Sequence, residues 1–167
     1  LTSCGQQGSF SQEENKELAG VVKDVVADRV PVYVGIGRES DRAYTTAMLE
    51  HAGHIDATAA VVLCYDMDAD QQVAHFQELN HVGFPLVAYT AGDGSKRLQR
   101  IEDILALDNV IGAKATIDLR TPGNVDYFHR VVSTEKPVLQ GEDVVLLEGL
   151  QEGAVGGINA IANLVPE

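Results

Sequence analysis

Six apolar, β-branched runs alternate with helix-patterned segments, the runs are apolar throughout instead of at every second residue, and no GxGxxG or Walker loop follows the first. Together these predict an α/β fold whose mostly parallel sheet is covered on both faces, and they favour an incomplete (β/α)8 TIM barrel over an open doubly wound sheet. The predicted strands are Val30 to Gly37, Thr58 to Tyr65, Pro85 to Thr90, Val110 to Thr116, Pro137 to Gly141 and Ala154 to Ile158. The chain has 167 residues, whereas a closed eight-stranded barrel typically needs about 250.

Between the strands, Leu18, Val21, Val22, Val25 and Val26 form one stripe at helical spacing, and Leu98, Ile101, Ile104 and Leu105 form another. Ser11 with Glu14 three residues on reads as a capping box. Asp68 or Asp70 can cap the helix carrying Val73, Phe76 and Leu79, and Gly53 and Gly83 sit where helices should stop. No linker or low-complexity stretch interrupts residues 1–167, which are read as a single partial barrel domain.

A formal net charge of -13, spread through helices, argues against a nucleic-acid partner. With no apolar run of about 20 residues, no membrane partner is expected, and the N-terminal residues lack a signal-peptide pattern, so the default location is cytoplasmic. Asp is plentiful and Lys scarce, a balance that resembles proteins of salt-loving organisms. Cys4 and Cys64 suggest no disulfide framework. His51, His54, His75, His81 and His129 suggest solvated or helix-end roles, and Asp66, Asp68 and Asp70 lack the rest of a calcium loop, so neither metal nor cofactor is expected.

In a barrel the catalytic groups come from the C-terminal ends of strands. Those ends carry Tyr65, Tyr89, Lys114, the Gly141-Glu142-Asp143 turn and Gly156-Gly157-Ile158. Lys114 interrupts an apolar strand, where desolvation favours the neutral amine that carbonyl attack requires. The competing reading is a lysine that snorkels its head to water. Tyr89, at the same end of the preceding strand, is expected to face Lys114 across the barrel mouth and pass protons. Ser3, Cys4 and Gly5 form a small loop before the first helix whose N–H groups suit a carboxylate, and Gly156 and Gly157 permit close approach to a ligand. Lys96 and Arg97 are read as solvated.

These residues, in this order, resemble the dihydrodipicolinate synthase and N-acetylneuraminate lyase family of class I aldolases. Thr2-Ser3-Cys4-Gly5-Gln6, followed by Phe10-Ser11-Gln12-Glu13-Glu14, resembles the family's Gly-Thr-Thr-Gly-Glu loop and its Leu-Ser/Thr-x-Glu-Glu continuation. Val32 to Gly37 is similar to the third strand, and Tyr65 falls near the Pro-Tyr-Tyr segment. Tyr89 matches the tyrosine of Tyr-Asn-x-Pro, and Ile111-Gly112-Ala113-Lys114 with Asp118-Leu119 matches the Schiff-base lysine strand. Gly141-Glu142-Asp143 and Gly156-Gly157-Ile158-Asn159 resemble the ends of the seventh and eighth strands.

The resemblance implies pyruvate held as an imine on Lys114, its carboxylate bound by the loop around Ser3, Cys4 and Gly5. Catalytic roles then fall to Lys114, Tyr89, Ser3 and Tyr65, the last reaching into a neighbouring subunit's site. Substrate contacts come from Ser3, Cys4, Gly5, Gly141, Gly157 and Ile158. The implied partners are pyruvate with an aldehyde or 2-keto-3-deoxy acid, and further copies of the chain in a homo-oligomer, a tetramer, at full length. Two departures bear on activity: Cys4 stands for the loop's second Thr and Gln6 for its Glu. Thr90-Ala91-Gly92-Asp93-Gly94 lacks the Pro, and the Arg that grips the aldehyde carboxylate in dihydrodipicolinate synthases. That favours a sugar-acid aldolase, with dihydrodipicolinate synthase activity or an inactive binding homologue as alternatives. By the same measure the chain runs from the end of the second strand to just past the eighth, and a fragment with two open sheet edges is expected.

Overall fold

A computed structural model of the chain describes residues 7–37, 41–64, 66–92 and 94–165. The elements alternate from α1 (Gln12–Val26) through β1 (Tyr33–Ile36), α2 (Arg42–His54), β2 (Ala59–Leu63), α3 (Ala69–Asn80), β3 (Leu86–Ala91), α4 (Ile101–Leu105), β4 (Val110–Thr116), α5 (Asn124–Val132), β5 (Val138–Gln140) and α6 (Leu146–Gln151) to β6 (Gly156–Gly157). The six strands form one sheet in chain order, β1-β2-β3-β4-β5-β6, and every neighbouring pair is parallel. A doubly wound sheet reverses its strand order at a switch point, and this one does not.

The core shows the same choice. Outward residues Val34, Ile36, Ala60, Val62, Ala88, Ala113, Ala115 and Val138 share one large cluster with helix residues such as Met48, Phe76, Ile104 and Phe128. The inward residues Ala59, Val61, Leu63, Val87 and Tyr89, with Tyr33 against them, form a second cluster made of strand residues alone. Helices therefore cover one face and the strands' own side chains fill the other. This is the layering of a partly built barrel.

Local chemistry explains where the helices begin. The Ser11 hydroxyl accepts from the Glu14 amide at 3.2 Å while the Ser11 amide donates to the Glu14 carboxylate at 2.7 Å. At α3 the cap is Asp68, not Asp70: its carboxylate accepts from the Gln71 amide at 2.9 Å, and Asp70 pairs instead with Arg100. The stripe of α4 is buried, from Leu98 through Leu105. That of α1 is not: Val21, Val22 and Val25 are exposed, and the helix buries Asn15 and Ala19.

One irregularity sets the phase of β4. Leu86 pairs with Val110, and both face the helices, but the next rung pairs Val87 with Gly112 and passes over Ile111, which is 40% exposed. Because strand side chains alternate, this one-residue shift exchanges the faces of everything that follows. Without it Lys114 would lie beside Thr90 on the helix side. With it, Lys114 pairs with Tyr89 and faces inward.

Candidate active site

A single cross-strand row on the inward face holds Leu63, Tyr89, Lys114, Leu139 and Gly156, each in register with the next. Lys114 is 5% exposed and Tyr89 7%. The Lys114 Nζ stands 4.9 Å from the centre of the Tyr89 ring. The two are thus side by side on adjacent strands and do not face one another across a mouth. Set between Tyr89 and Leu139 of the neighbouring strands, Lys114 is withdrawn from most of the surrounding water.

Two rungs further toward the C-terminal ends, on the same face, lie Ala91, Thr116 and Gly141. A Cβ at Gly141 would come within 2.9 Å of the Lys114 Cε and closer still to the Thr116 Oγ1. Glycine at this position is what lets the lysine side chain pass. The Thr116 Oγ1 is itself buried and has no hydrogen-bond partner among the described residues. Ile158 continues the ladder, its amide donating to the Gln140 carbonyl at 3.0 Å. Of the two glycines of β6, Gly156 is in register with inward Leu139, whereas Gly157 is in register with Gln140, and a Cβ there would meet Leu146 of α6. Gly157 therefore belongs to the helix-facing row.

Ser3, Cys4, Gly5 and Tyr65 lie outside the described residues. Gln7, just after the Ser3 to Gly5 loop, is anchored, its carboxamide donating to the Gly35 carbonyl at 2.8 Å and to the Tyr44 hydroxyl at 3.2 Å. Fully buried Asn15 donates in turn to the Gln7 carbonyl at 3.1 Å. Gln7 is thus a fixed point beside β1. A lone Asn within an amphipathic helix gives no sequence signal of this.

The turns that follow the strands are held by charged groups that sequence reading left solvated. Arg97 stacks on Tyr127, its guanidinium 3.9 Å from the ring centre, and donates to the Gly92 carbonyl at 2.7 Å. Gly92 donates to the Thr116 carbonyl at 3.1 Å, so the turn after Tyr89 is tied to the lysine strand. Asp118 accepts both a side-chain and a backbone bond from Arg120, which hold its carboxyl down at about 2. His75 is buried on α3, not solvated, and burial lowers its imidazole from the ordinary range. Burial pushes the Cys64 thiol up to about 12, which leaves it an inert core residue at neutral pH. No group of three potential metal-binding side chains occurs among the described residues.

A 4-hydroxy-tetrahydrodipicolinate synthase of Azobacteroides pseudotrichonymphae is 28% identical over 178 residues, the match covering all of this chain and 58% of that protein. A DapA-like lyase of Halobacterium salinarum is 30% identical over 174 residues, with 98% of this chain and 56% of that protein covered. Among solved structures, YagE of Escherichia coli, a prophage protein of the dihydrodipicolinic acid synthase family in complex with pyruvate, superposes with a TM-score of 0.86 at 26% identity, over 99% of this chain and 58% of that one. The chain therefore spans somewhat more than half the length of these relatives. The model of the dihydrodipicolinate synthetase family matches residues 1–167, and the chain belongs to that family.

Proposed function

We propose that this chain, a single partial barrel domain, carries the covalent centre of a Schiff-base-forming, pyruvate-dependent aldolase or lyase acting on a 2-keto-3-deoxy sugar acid. The observation that carries the reading is the buried Lys114 amine beside the Tyr89 phenol on the inward face. The amine attacks the keto carbon of the substrate, the carbinolamine loses water, and the resulting iminium withdraws electrons from the bond to the pyruvate methyl carbon. Tyr89, with Ser3 and Tyr65, moves the protons of these steps. Ser3, Cys4 and Gly5 hold the carboxylate, with Gly141 and Ile158 bounding the substrate, while Gly157, on the helix-facing row, takes no part. The Thr116 Oγ1, buried and without a partner among the described residues, is placed to bind a substrate hydroxyl. The YagE structure in complex with pyruvate supports the three-carbon half of the substrate.

A second reading, 4-hydroxy-tetrahydrodipicolinate synthase, is favoured by the names of the curated relatives. The run from Thr90 to Gly94, without the Pro or the Arg, is the reason to rank it second. The net charge of -13 argues against polyanionic partners, and no helix in the described residues is long and apolar enough to cross a membrane. The proposal accordingly places a homo-oligomer, a tetramer by family resemblance, in the cytoplasm.

The test is a coupled assay of pyruvate release across a panel of 2-keto-3-deoxy acids, run beside condensation of pyruvate with a carboxylate-bearing aldehyde. Release from a sugar acid supports the first reading, and condensation alone supports the second. Silence in both, without any covalent pyruvate adduct, would leave an inactive binding homologue.

A further inference from the structure

We infer that Gln140 is a positioning residue for Lys114: from the helix-facing side of β5, its carboxamide locks together the two turns between which the lysine side chain runs. The inference rests on the proposed role of Lys114 and adds a residue to it. Gln140 is completely buried and is in register with Ala115, the immediate neighbour of Lys114. The last backbone rung between the strands runs from the Gly141 amide to the Ala115 carbonyl at 2.8 Å. Past that rung the side chain takes over. Its Nε2 donates to the Ile117 carbonyl at 3.2 Å, and its Oε1 accepts from the Ile117 amide at 3.5 Å and from the Glu142 amide at 2.9 Å.

One carboxamide thus gives Ile117 the pairing that another strand residue would give, and binds the turn after β5 with the same oxygen. Between the tied points sit Thr116 and Gly141, the two residues that line the passage of the Lys114 side chain. The width of that passage follows from the separation of the two turns. A second, independent contact fixes the carboxamide from behind. A Cβ at Gly149 of α6 would lie 2.9 Å from the Gln140 Cγ and 3.0 Å from its Nε2, so α6 presses on the side chain and leaves it one place. The position needs a donor and an acceptor together, which an amide has, an ionised carboxylate lacks and a thioether lacks.

The experiment follows the rate at which borohydride traps a pyruvate adduct, as a function of pH, in the wild type, in Gln140→Met and in Gly149→Ala, with folding checked by circular dichroism. An adduct in the wild type is the control for the functional reading. Its absence would strike that reading, separately from the variants. Given the adduct, Gln140→Met is expected to slow trapping about tenfold at neutral pH, in keeping with the cost of a small misplacement of a reacting group. The midpoint of its pH profile should move upward, because loosened turns admit water around the amine and desolvation is what favours the neutral form. Gly149→Ala, which displaces the same carboxamide without removing any polar group, should move both in the same direction and carries the test if Gln140→Met does not fold. Rates and profiles that match the wild type in folded protein would overturn the assignment.

Discussion

Strands β3 to β5 bury polar side chains on both faces, and the two faces treat them differently. On the helix side, Thr90 takes part in a closed ring: the Leu98 amide donates to the Thr90 Oγ1 at 3.0 Å, Thr90 meets the Tyr127 hydroxyl at 2.6 Å, and Tyr127 donates to the Leu98 carbonyl at 2.7 Å. Tyr127 has one proton and gives it to Leu98, so Thr90 must be the donor between the two hydroxyls. Gln140, on the same side, has its own set of bonds to Ile117 and Glu142. On the inward face the Thr116 Oγ1 is equally buried but has no partner among the described residues, two rungs beyond Lys114 and Tyr89. Burial without a partner costs stability, so a fold keeps such a group where something else is to fill it. The helix side uses its polar groups to hold the strands, and the proposed function gives the hydroxyl on the inward side to the substrate.

Four substitutions probe that contrast. Lys114→Met removes the amine while keeping an apolar body of similar length, and is expected to abolish borohydride-trapped pyruvate in folded protein, read by intact mass. Tyr89→Phe should still form the adduct but slow cleavage by about 10²-fold or more, the usual scale for a lost proton-transfer group. Third come two threonines compared by denaturant unfolding. Thr90→Val leaves Tyr127 and the Leu98 amide short of a partner and should cost about 1–3 kcal/mol with trapping unchanged. Thr116→Val deletes a hydroxyl with no partner among the described residues, so it should cost little stability and instead raise KM for a hydroxyl-bearing acid. If the two threonines behave alike, the contrast between the faces fails.

The smallest effect belongs to His75. Burial lowers its imidazole, Arg42 adds to that and Glu78 opposes it. The unfolded chain therefore takes up the proton first as pH falls through about 6.5, and the folded state loses stability from there downward. His75→Gln should flatten the fall in thermal midpoint between about pH 7 and pH 5. An unchanged slope would assign the acid sensitivity to other groups.

Much of the framework was legible because it rests on local rules. The apolar run from Val110 to Thr116 is β4 from end to end, and the capping box at Ser11 is present as read. At β6 the strand itself is only Gly156–Gly157, flanked by single bonds from Val155 and Ile158 to β5, since a strand of glycines has little side chain to hold it and its far edge has no partner strand among the described residues. The identity of Lys114 could be read from its apolar neighbours, but its direction could not. Counting alternate residues from Val110 places it on the helix side, and only the shift at Ile111, which no residue type announces, turns it inward. The same limit applies to Gly157, Arg97 and His75, whose surroundings come from elements distant in sequence. The α1 stripe failed for a different reason. The helical spacing is right, but Val21 and Val25 remain exposed instead of reaching the core.

The most direct test of the account is to locate the adduct. After incubation with pyruvate and borohydride, proteolysis and peptide mass mapping should find the reduced three-carbon group on the peptide bearing Lys114 alone, with Lys96 and Lys136 unmodified. Modification spread over the other lysines, or an unmodified Lys114 in folded protein, would contradict it.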